Sequence, residues 1–468
     1  MNLNWQNIDK QIVGEAWVGS NIETHVHELC TNIGPRWATS AADKLAAEYV
    51  TNQMNGYGLH NPHIEDFDME TWEHDPAQAW VTNDQRPITI LPMLNCPPTD
   101  IEARITDVGF GMPDEIASQG NIAGSVAVMK IDFEPFSNPI AHSARIRSLA
   151  DAGVAAVVAT DRKSGGRMEY WHSTDKRLAS RAGDVQPHPV PSVTTTREDG
   201  TYLRECASLG KSLTLKVASK AYTAKAYNSI GDIPGVHWQD EHIVVGAHHD
   251  TVPGSPGGND NASGTAVLME TARVLATLSK DFDVSPGRTI RFCTWSAEEQ
   301  NHQGSAAYVR QHYELGNPPR FVINLDELAT GPMKGLVLQF PHLRPLMQNA
   351  LDTMRDGLQC HVLDHLDPSS DCFSFSRSAI PSAILWRWRF VGRHPDADYH
   401  HEPHATADKV RPRELRNYVS QLARIALRIS HVPPTDWPQN PLTIENVKTR
   451  IDKESGSVGR TMLSLIHI

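Results

Sequence analysis

Two short segments near the middle of the chain place histidines and carboxylates close together. Gly246-Ala-His-His-Asp250 directly follows the apolar run 243–245, and Gly258-Asn-Asp-Asn-Ala-Ser-Gly264 follows after a short loop. An apolar run of this kind is typical of a buried strand, and open α/β sheets bind their ligands at the carboxyl ends of the strands. The two segments therefore predict half of a metal site in a cleft, with His248 and Asp260 as candidate ligands.

Further acidic and histidine side chains follow later apolar runs in the same way. They are Glu298 and Glu299 after the run 289–295, Asp326 after the run 321–325, and the histidine-rich segment 394–404 after the run 383–390. Taken singly, a buried histidine is more often a hydrogen-bonded core residue, and a glutamate pair more often a solvated helix face. Their shared position behind strands makes one common site the better interpretation.

These residue types suit a particular chemistry. Zinc accepts imidazole and carboxylate ligands, and two metal ions about 3.5–4 Å apart need a bridging carboxylate. A metal-bound hydroxide can attack a peptide carbonyl, but a base must also take a proton and return it to the leaving amine. Two histidines and three carboxylates would hold the metals, and one glutamate that is not a ligand would serve as the base.

The motifs from Gly246 to Val410 resemble those of the di-zinc aminopeptidase family, which includes glutamate carboxypeptidase-like enzymes. The matching motifs are Gly-Ala-His-x-Asp, Asn-Asp-Asn-Ala-Ser-Gly, Ala-Glu-Glu and Asn-Leu-Asp, in this order. By this resemblance, His248 and Asp326 hold one zinc ion, Glu299 and His401 hold the other, Asp260 bridges them, Glu298 is the general base, and Asp250 orients His248.

The last ligand stays open among three histidines. Where the family usually has Tyr-His-Thr-Pro-x-Asp-Thr-x-Asp-Lys-Val, this chain has His400-His-Glu-Pro-His-Ala-Thr-Ala-Asp-Lys-Val410. Aligning the shared proline, threonine and Asp-Lys-Val selects His401, with His400 and His404 as alternatives. A second departure, Glu299-Gln-Asn-His-Gln-Gly-Ser305, replaces the family's usual Gly-Leu beside the base, where it would affect substrate preference.

The elements that must position these residues follow from the pattern of apolar positions. Amphipathic helices are expected within 22–58, and beyond residue 235 strands alternate with helices, which predicts an α/β fold with a mainly parallel central sheet and helices on both faces. Short β-like runs between these regions, such as 120–129 and 150–158, resemble a protease-associated domain. The predicted parts are 1–80 and 221–432 for the peptidase domain, 81–220 for the inserted β-rich domain, and 433–468 for a tail whose last six residues resemble a translated sequencing adapter.

Composition excludes several classes of function. The 468 residues suffice for two or three domains, and no apolar run approaches the roughly 18 residues of a membrane helix. A formal net charge of −12 argues against binding to a nucleic-acid backbone. The six cysteines form no Cys-x-x-Cys pair, which predicts reduced, structural thiols. No signal peptide is visible, which favours a cytoplasmic location, although relatives of the resembled family are often secreted.

Together these features predict a zinc-dependent exopeptidase with two Zn²⁺ ions. An aminopeptidase acting on short peptides is the leading interpretation, with the inserted domain as a lid that limits peptide length. The first alternative is a carboxypeptidase or dipeptidase on the same site, for which Arg387, Arg389 or Arg393 could bind a substrate carboxylate. The second is a glutaminyl cyclase that uses one zinc ion. Neither the preferred side chain nor the oligomeric state follows from the sequence.

Overall fold

A computed structural model describes residues 4–83, 86–132, 140–313, 316–387 and 398–455. The α-helices, in chain order, are α1 Trp5–Val18, α2 Ile22–His27, α3 Ala41–Tyr57, α4 Pro113–Ser118, α5 His142–Asp151, α6 Arg197–Ser208, α7 Gly264–Asp281, α8 Gln303–Tyr313, α9 Arg344–Met354, α10 Cys372–Arg377, α11 Pro412–Ser430 and α12 Ile444–Ser455. The strands are β1 His60–His74, β2 Gln78–Val81, β3 Pro87–Ile88, β4 Ile90–Pro92, β5 Thr99–Asp107, β6 Val126–Lys130, β7 Ala156–Thr160, β8 Ser192–Thr195, β9 Ser212–Val217, β10 Ser219–Ile233, β11 Trp238–His248, β12 Arg288–Trp295, β13 Phe321–Leu325, β14 Met333–Leu338, β15 Gln359–Val362 and β16 Ser382–Arg387.

The first sheet has the strand order β1-β10-β12-β11-β13-β16-β14-β15. Its centre, β12-β11-β13-β16, is parallel. The pairs β1 with β10, β10 with β12 and β14 with β16 are antiparallel, whereas the edge strand β15 runs parallel to β14. Ile243 and Val245 on β11 pack in the core with α1, α7 and α11, and Val244 packs on the opposite face with Tyr308 of α8 and Phe375 of α10. Helices thus cover both faces of the sheet, which confirms the predicted α/β class. The antiparallel pairs lie towards the edges of the sheet.

A second sheet is built within residues 78–217, in the order β3-β2-β9-β5-β6-β7-β8-β4. The chain leaves and re-enters the first sheet at one place, because His74 and Ser219 are register partners and the amide of Asp75 donates to the Ala218 carbonyl over 2.9 Å. We call residues 75–218 the inserted unit. Its β6 and β7 are fully buried apart from Lys130, as parallel strands covered on both faces must be. Its assignment as a protease-associated domain stays a prediction.

Two elements differ from what the sequence patterns indicated. The long antiparallel pair of β1 and β10 was not predicted, because β1 is largely polar and carries no clear alternation of apolar residues. Helix α12 lies in the stretch 433–468 that was interpreted as a tail, and its Val447 and Ile451 pack against Phe340. Arg389, Arg393 and the last six residues lie outside the described residues. No described helix is long and apolar enough to cross a membrane.

Candidate metal centre

The predicted site residues meet at the carboxyl ends of the central strands. His248 is the last residue of β11, Asp326 directly follows β13, and Glu298 and Glu299 come three and four residues after β12. Because β12, β11 and β13 are adjacent and parallel, these side chains reach the same edge of the sheet. Asp260 joins them from a tight helical turn, Gly258–Ser263, directly before α7.

Two glycines of the predicted motifs are required by close packing around this edge. A Cβ on Gly246 would lie 1.8 Å from the ring of Trp295, which covers β11. A Cβ on Gly264 would lie 2.6 Å from the carbonyl oxygen of Leu325, at the start of α7. Real Cβ atoms do not approach so closely, so both glycines allow the motif segments to pack directly against the neighbouring strands.

One group of potential ligands consists of His248, Asp260 and Asp326. Nε2 of His248 lies 3.0 Å from Oδ1 of Asp260 and 3.5 Å from Oδ1 of Asp326. The hydroxyl of Ser370 donates to the other oxygen of Asp326 over 2.7 Å and fixes that carboxylate. Nδ1 of His248 lies 3.2 Å from the carbonyl and 3.3 Å from the carboxylate of Asp250, so the proton on Nδ1 leaves Nε2 as an electron-pair donor.

A second group shares Asp260. Nε2 of His401 lies 3.2 Å from Oδ2 of Asp260 and 2.9 Å from Oε2 of Glu299. Nδ1 of His401 donates to the carbonyl of Tyr170 over 3.0 Å, which again leaves Nε2 free to donate an electron pair. The two oxygens of Asp260 therefore face two different groups of ligands, as a bridging carboxylate must.

The competing histidines differ in what they contact. Nδ1 of His400 lies 3.2 Å from both Oδ2 of Asp260 and Oε1 of Glu327, and its ring stacks on that of His401 at a centroid distance of 3.6 Å. It makes no ion pair with Glu299 among the contacts of the described residues. The side chain of His404 is 63% exposed and points to Glu402, away from the cluster. Geometry thus favours His401 and keeps His400 as the competitor.

The donor atoms of this cluster fit bound metal ions. Several buried atoms make no hydrogen bond within the described part of the chain: Nε2 of His248, Nδ1 of His400, Oδ1 of Asp260, Oε1 of Glu299 and Oδ1 of Asp326. Leaving one buried polar atom unpaired costs about 1–3 kcal/mol, so a set of this size is stable only with a shared partner. Burial and the charge of Asp260 raise the pKa of Glu299 to about 7, against the opposing effect of His401. Imidazole nitrogens and carboxylate oxygens in this number suit zinc.

Asp250 contacts residues of both groups of potential ligands. Its two carboxylate oxygens accept from the amides of Glu298 and Glu299, over 3.1 and 3.3 Å, while its Oδ1 also lies against Nδ1 of His248. The side chain is fully buried. One carboxylate therefore fixes both the ring of His248 and the turn that carries the two glutamates.

Glu298 contacts two basic side chains that the sequence did not single out. Its Oε1 lies 2.9 Å from Nε2 of His302 and 3.4 Å from Nζ of Lys176, and these two nitrogens lie 2.9 Å apart. Burial acts to raise the pKa of Glu298, but the nearby Lys176 and His302 together hold it below its usual range. His302 belongs to the segment 299–305 that departs from the family pattern, whereas no motif marks Lys176, which belongs to the inserted unit.

The inserted unit also holds the loop that carries His401. The amide of Tyr170 donates to the carbonyl of His401 over 3.1 Å, in addition to the bond from the His401 ring to the Tyr170 carbonyl. Glu402, next to His401, is buried and accepts from Nε of Arg167 over 2.9 Å, and its other oxygen lies 3.5 Å from Nζ of Lys163. This part of the metal centre is therefore fixed by a different unit from the one that supplies the other ligands.

Fold and cluster together define an α/β protein of the zinc-peptidase type. Residues 228–426 match the model of peptidase family M28. The result confirms the resemblance that was drawn from the motifs. A protease-associated domain is not part of the matched region.

Curated relatives include both kinds of exopeptidase by name. Aminopeptidase YwaD of Bacillus subtilis is 26% identical over 373 residues, which cover 77% of this chain and 74% of that protein. Carboxypeptidase Q of Bos taurus is 25% identical over 292 residues, which cover 61% of this chain and 60% of that protein. The match thus spans less than two thirds of the bovine relative.

Solved structures share the whole fold. A peptidase M28 precursor from Shewanella amazonensis superimposes with a TM-score of 0.75 at 19% identity and covers 94% of this chain and 99% of that one. BSAP, described as a zinc aminopeptidase from Bacillus subtilis, gives a TM-score of 0.68 at 22% identity over 90% of this chain and 97% of that one. A coverage of 90% or more is too high for the alignments to omit the whole of residues 75–218.

Proposed function

We propose that this chain is a zinc-dependent exopeptidase, and most specifically an aminopeptidase that acts on short peptides. The observation that carries the proposal is the position of Asp260, whose two oxygens face His248 on one side and His401 on the other. Asp326 completes the first group and Glu299 the second. The names of the relatives, which include a zinc aminopeptidase and an aminopeptidase of B. subtilis, support the same activity.

In this proposal each residue has a separate task. Two zinc ions in these positions would polarise the scissile carbonyl and make water a stronger acid. Glu298, which is not a ligand, takes the proton of the attacking water and returns it to the leaving amine. Asp250 keeps His248 and the turn with Glu298 in position, through the contacts described above.

Buried acidic groups favour substrates with a free N-terminus. Asp260, Glu299, Asp326 and Glu327 are all at least nine-tenths buried around one space. With Asp260, Glu299 and Asp326 assigned to zinc, the carboxylate of Glu327 is the one of these groups that can attract the α-amino group of a short peptide, because opposite charges interact more strongly away from bulk water. The inserted unit lies against the same space through Tyr170 and Lys176, which supports a limit on peptide length. We also propose that the protein acts in the cytoplasm, as the sequence predicts.

The test combines metal content with peptides that are blocked at one end. We expect about two zinc ions per chain after dialysis, cleavage of Leu-Ala-Ala, and loss of cleavage when its N-terminus is acetylated. Cleavage that is lost only when the C-terminus is amidated would instead establish a carboxypeptidase. One zinc ion with cyclisation of N-terminal glutamine and no hydrolysis would establish a glutaminyl cyclase.

A carboxypeptidase or dipeptidase on the same site is the second candidate. It is favoured by Lys176, whose ammonium group lies 3.4 Å from Oε1 of Glu298 and can meet a substrate carboxylate there. The similarity to bovine carboxypeptidase Q points in the same direction. A dipeptide satisfies both candidates, because its single peptide bond is at once the first and the last.

A further inference from the structure

The loop 249–257 joins two of the proposed metal ligands. It follows His248, at the end of β11, and leads into the turn that carries Asp260. We call it the ligand loop. Most of its residues are buried, and Val252 packs in the core of the inserted unit. The course of the ligand loop therefore affects how the two ligands face a shared metal ion.

A fully buried arginine holds both ends of the ligand loop. The guanidinium group of Arg36 donates to the carbonyl of His249 over 2.7 Å and to that of Pro256 over 2.9 Å. The main chain of Arg36 makes two further bonds to Thr251, whose hydroxyl accepts over 2.8 Å and whose amide donates over 3.1 Å. The guanidinium group also donates to two carbonyls within residues 29–34. Arg36 thus fixes the ligand loop to the segment before α3.

The charge of Arg36 lies close to the acidic side of the metal centre. Among the described residues Arg36 makes no ion pair, and its Nη2 makes no hydrogen bond. Burial lowers the pKa of Arg36, whereas nearby acidic groups act to raise it: Cys30, Asp250, Asp43 and Asp260. A buried charge without a paired carboxylate is costly to keep. Holding several buried carbonyls near a group of carboxylates gives a reason for an arginine at this position.

We propose that Arg36 is a positioning residue of the metal centre, which holds the ligand loop in the course that lets His248 and Asp260 bind the same metal ion. The inference rests on the proposed zinc-dependent function, but it concerns metal binding and not the hydrolytic step. Nε2 of His248 lies 3.0 Å from Oδ1 of Asp260, and Arg36 acts on this pair through the backbone of the ligand loop. A guanidinium group suits the task, because its donors point in fixed directions and reach several carbonyls at once.

The alternative is that Arg36 only stabilises the fold, and Arg145 of α5 separates the two roles. Arg145 is almost as completely buried as Arg36. Its guanidinium group also donates to backbone carbonyls, all within the inserted unit: those of Phe110, Lys130, Ile131 and Asp132. Loss of these bonds should cost stability without moving the ligand loop.

The experiment compares the wild-type full chain with Arg36→Lys, Thr251→Val and the matched control Arg145→Lys. Lysine keeps the charge but offers its donors from a single point, so it cannot bind both ends of the ligand loop. Valine has nearly the shape of threonine and removes only the acceptor for the amide of Arg36. This milder change gives a second test if Arg36→Lys does not fold.

Three quantities are measured for each chain. The melting temperature of the metal-free chain reports on the fold. Competition with a chromophoric chelator gives the affinities for two zinc ions. Electron paramagnetic resonance of the cobalt(II)-loaded chain gives the magnetic coupling between the two ions, which depends on their separation and on the bridge between them. The last two quantities do not depend on turnover.

We expect Arg36→Lys to weaken at least one of the two zinc affinities about 10–100-fold, as loss of a group that supports a ligand does, and to change the cobalt coupling. Thr251→Val should act in the same direction with a smaller effect. Arg145→Lys should lower the melting temperature of the metal-free chain but keep the wild-type affinities and coupling. Wild-type affinities and coupling in Arg36→Lys overturn the inference, whatever its melting temperature. If Arg36→Lys does not fold, the same result in Thr251→Val overturns it.

Cleavage of Leu-Ala-Ala separates this inference from the proposed function. A chain that binds two zinc ions with an affinity that depends on Arg36, but cleaves no peptide, supports the inference and removes the exopeptidase function. A chain that cleaves Leu-Ala-Ala with zinc, while Arg36→Lys binds zinc as the wild type does, supports the function and removes the inference. If the wild-type chain binds no zinc, both fail.

Discussion

At the scale of single residues, the choice between His400 and His401 decides the second metal position. His401 contacts both Glu299 and Asp260, and its Nδ1 proton is held by the Tyr170 carbonyl. His400 contacts Asp260 from the other side, together with Glu327. A ligand of the second ion should lie against all the groups that hold it, and only His401 among these two contacts Glu299 in the described residues.

Replacement of each histidine by alanine tests this assignment. We expect His401→Ala to keep about one zinc ion per chain, because the group formed by His248, Asp260 and Asp326 remains complete. His400→Ala should keep about two. Metal analysis after dialysis against a fixed low concentration of free zinc gives the two numbers. The reverse result, with one ion in His400→Ala and two in His401→Ala, would make His400 the ligand.

Glu298 is the residue whose role is easiest to separate from metal binding. The change Glu298→Gln keeps the shape of the side chain but removes its capacity to accept a proton. Since general bases contribute about 10²–10⁴-fold, kcat should fall by that factor while the zinc content stays unchanged. Glu48→Gln, on the 44% exposed side chain of a glutamate in α3, is the control and should keep full activity. Full activity in Glu298→Gln would refute the assignment of the base.

The site residues that the sequence indicated stand at different kinds of position from those that it did not indicate. His248, Asp260, Glu299 and Asp326 each stand at the end of a buried strand or the start of a helix, where an apolar pattern marks their position. Lys176 stands on an irregular segment 122 residues before Glu298, and nothing local indicates their contact. The role of Tyr170 depends on its backbone groups, which every residue type has, so no sequence pattern can show it.

At the scale of elements, the predicted strands were those with continuous apolar runs. Strands β12 and β13 and the second half of β11 are almost fully buried. The boundaries of β12 and β13 agree with the sequence prediction within one residue, whereas β11 begins five residues before the predicted apolar run. Strand β1, in contrast, is held to β10 by backbone pairing over its whole length, and pairs such as Asp66 with Lys225 lie on its exposed face. Backbone pairing between two polar strands produces no regular alternation of apolar residues in the sequence. The long pair of β1 and β10 therefore could not be predicted.

The segment around Arg167 is the element that ties the inserted unit to the loop of His401. Arg167 forms a two-pronged ion pair with the buried Glu402 and donates to the backbone carbonyl of Asp398. We expect Arg167→Met to weaken binding of the second zinc ion about 10–100-fold, the usual effect of removing a group that supports a ligand. Titration against a chromophoric chelator measures the two affinities separately.

A matched arginine elsewhere in the inserted unit provides the control. Arg86 pairs with Asp199 at an exposed position, so Arg86→Met should leave both zinc affinities unchanged. If Arg167→Met also leaves them unchanged, the loop of His401 holds its shape without the inserted unit, and the contacts of Tyr170 alone would have to suffice.

At the scale of the whole molecule, the metal centre joins parts of the chain that are far apart. The proposed ligands extend from His248 to His401, and the groups that support them begin at Lys163 in the inserted unit. An unfolded chain cannot bring these groups together, so metal ions bind almost only to the folded state. Ligands that bind only the folded state stabilise it by mass action, by about 2.7 kcal/mol per site at a hundredfold excess over Kd.

Removal of the metal ions should therefore lower the stability of the entire chain. After chelation, the buried oxygens of Asp260, Glu299 and Asp326 lose the partner that they would share, which adds to the loss of binding energy. We expect the melting temperature to fall on chelation and to return when zinc is added back. Magnesium should restore little, because it prefers oxygen ligands in octahedral geometry over imidazole. In Asp260→Asn, which lacks the bridging charge, the rise with zinc should be smaller than in the wild type. A melting temperature that stays constant while bound zinc falls to zero would show that the cluster is stable without metal and would contradict its assignment as the metal centre.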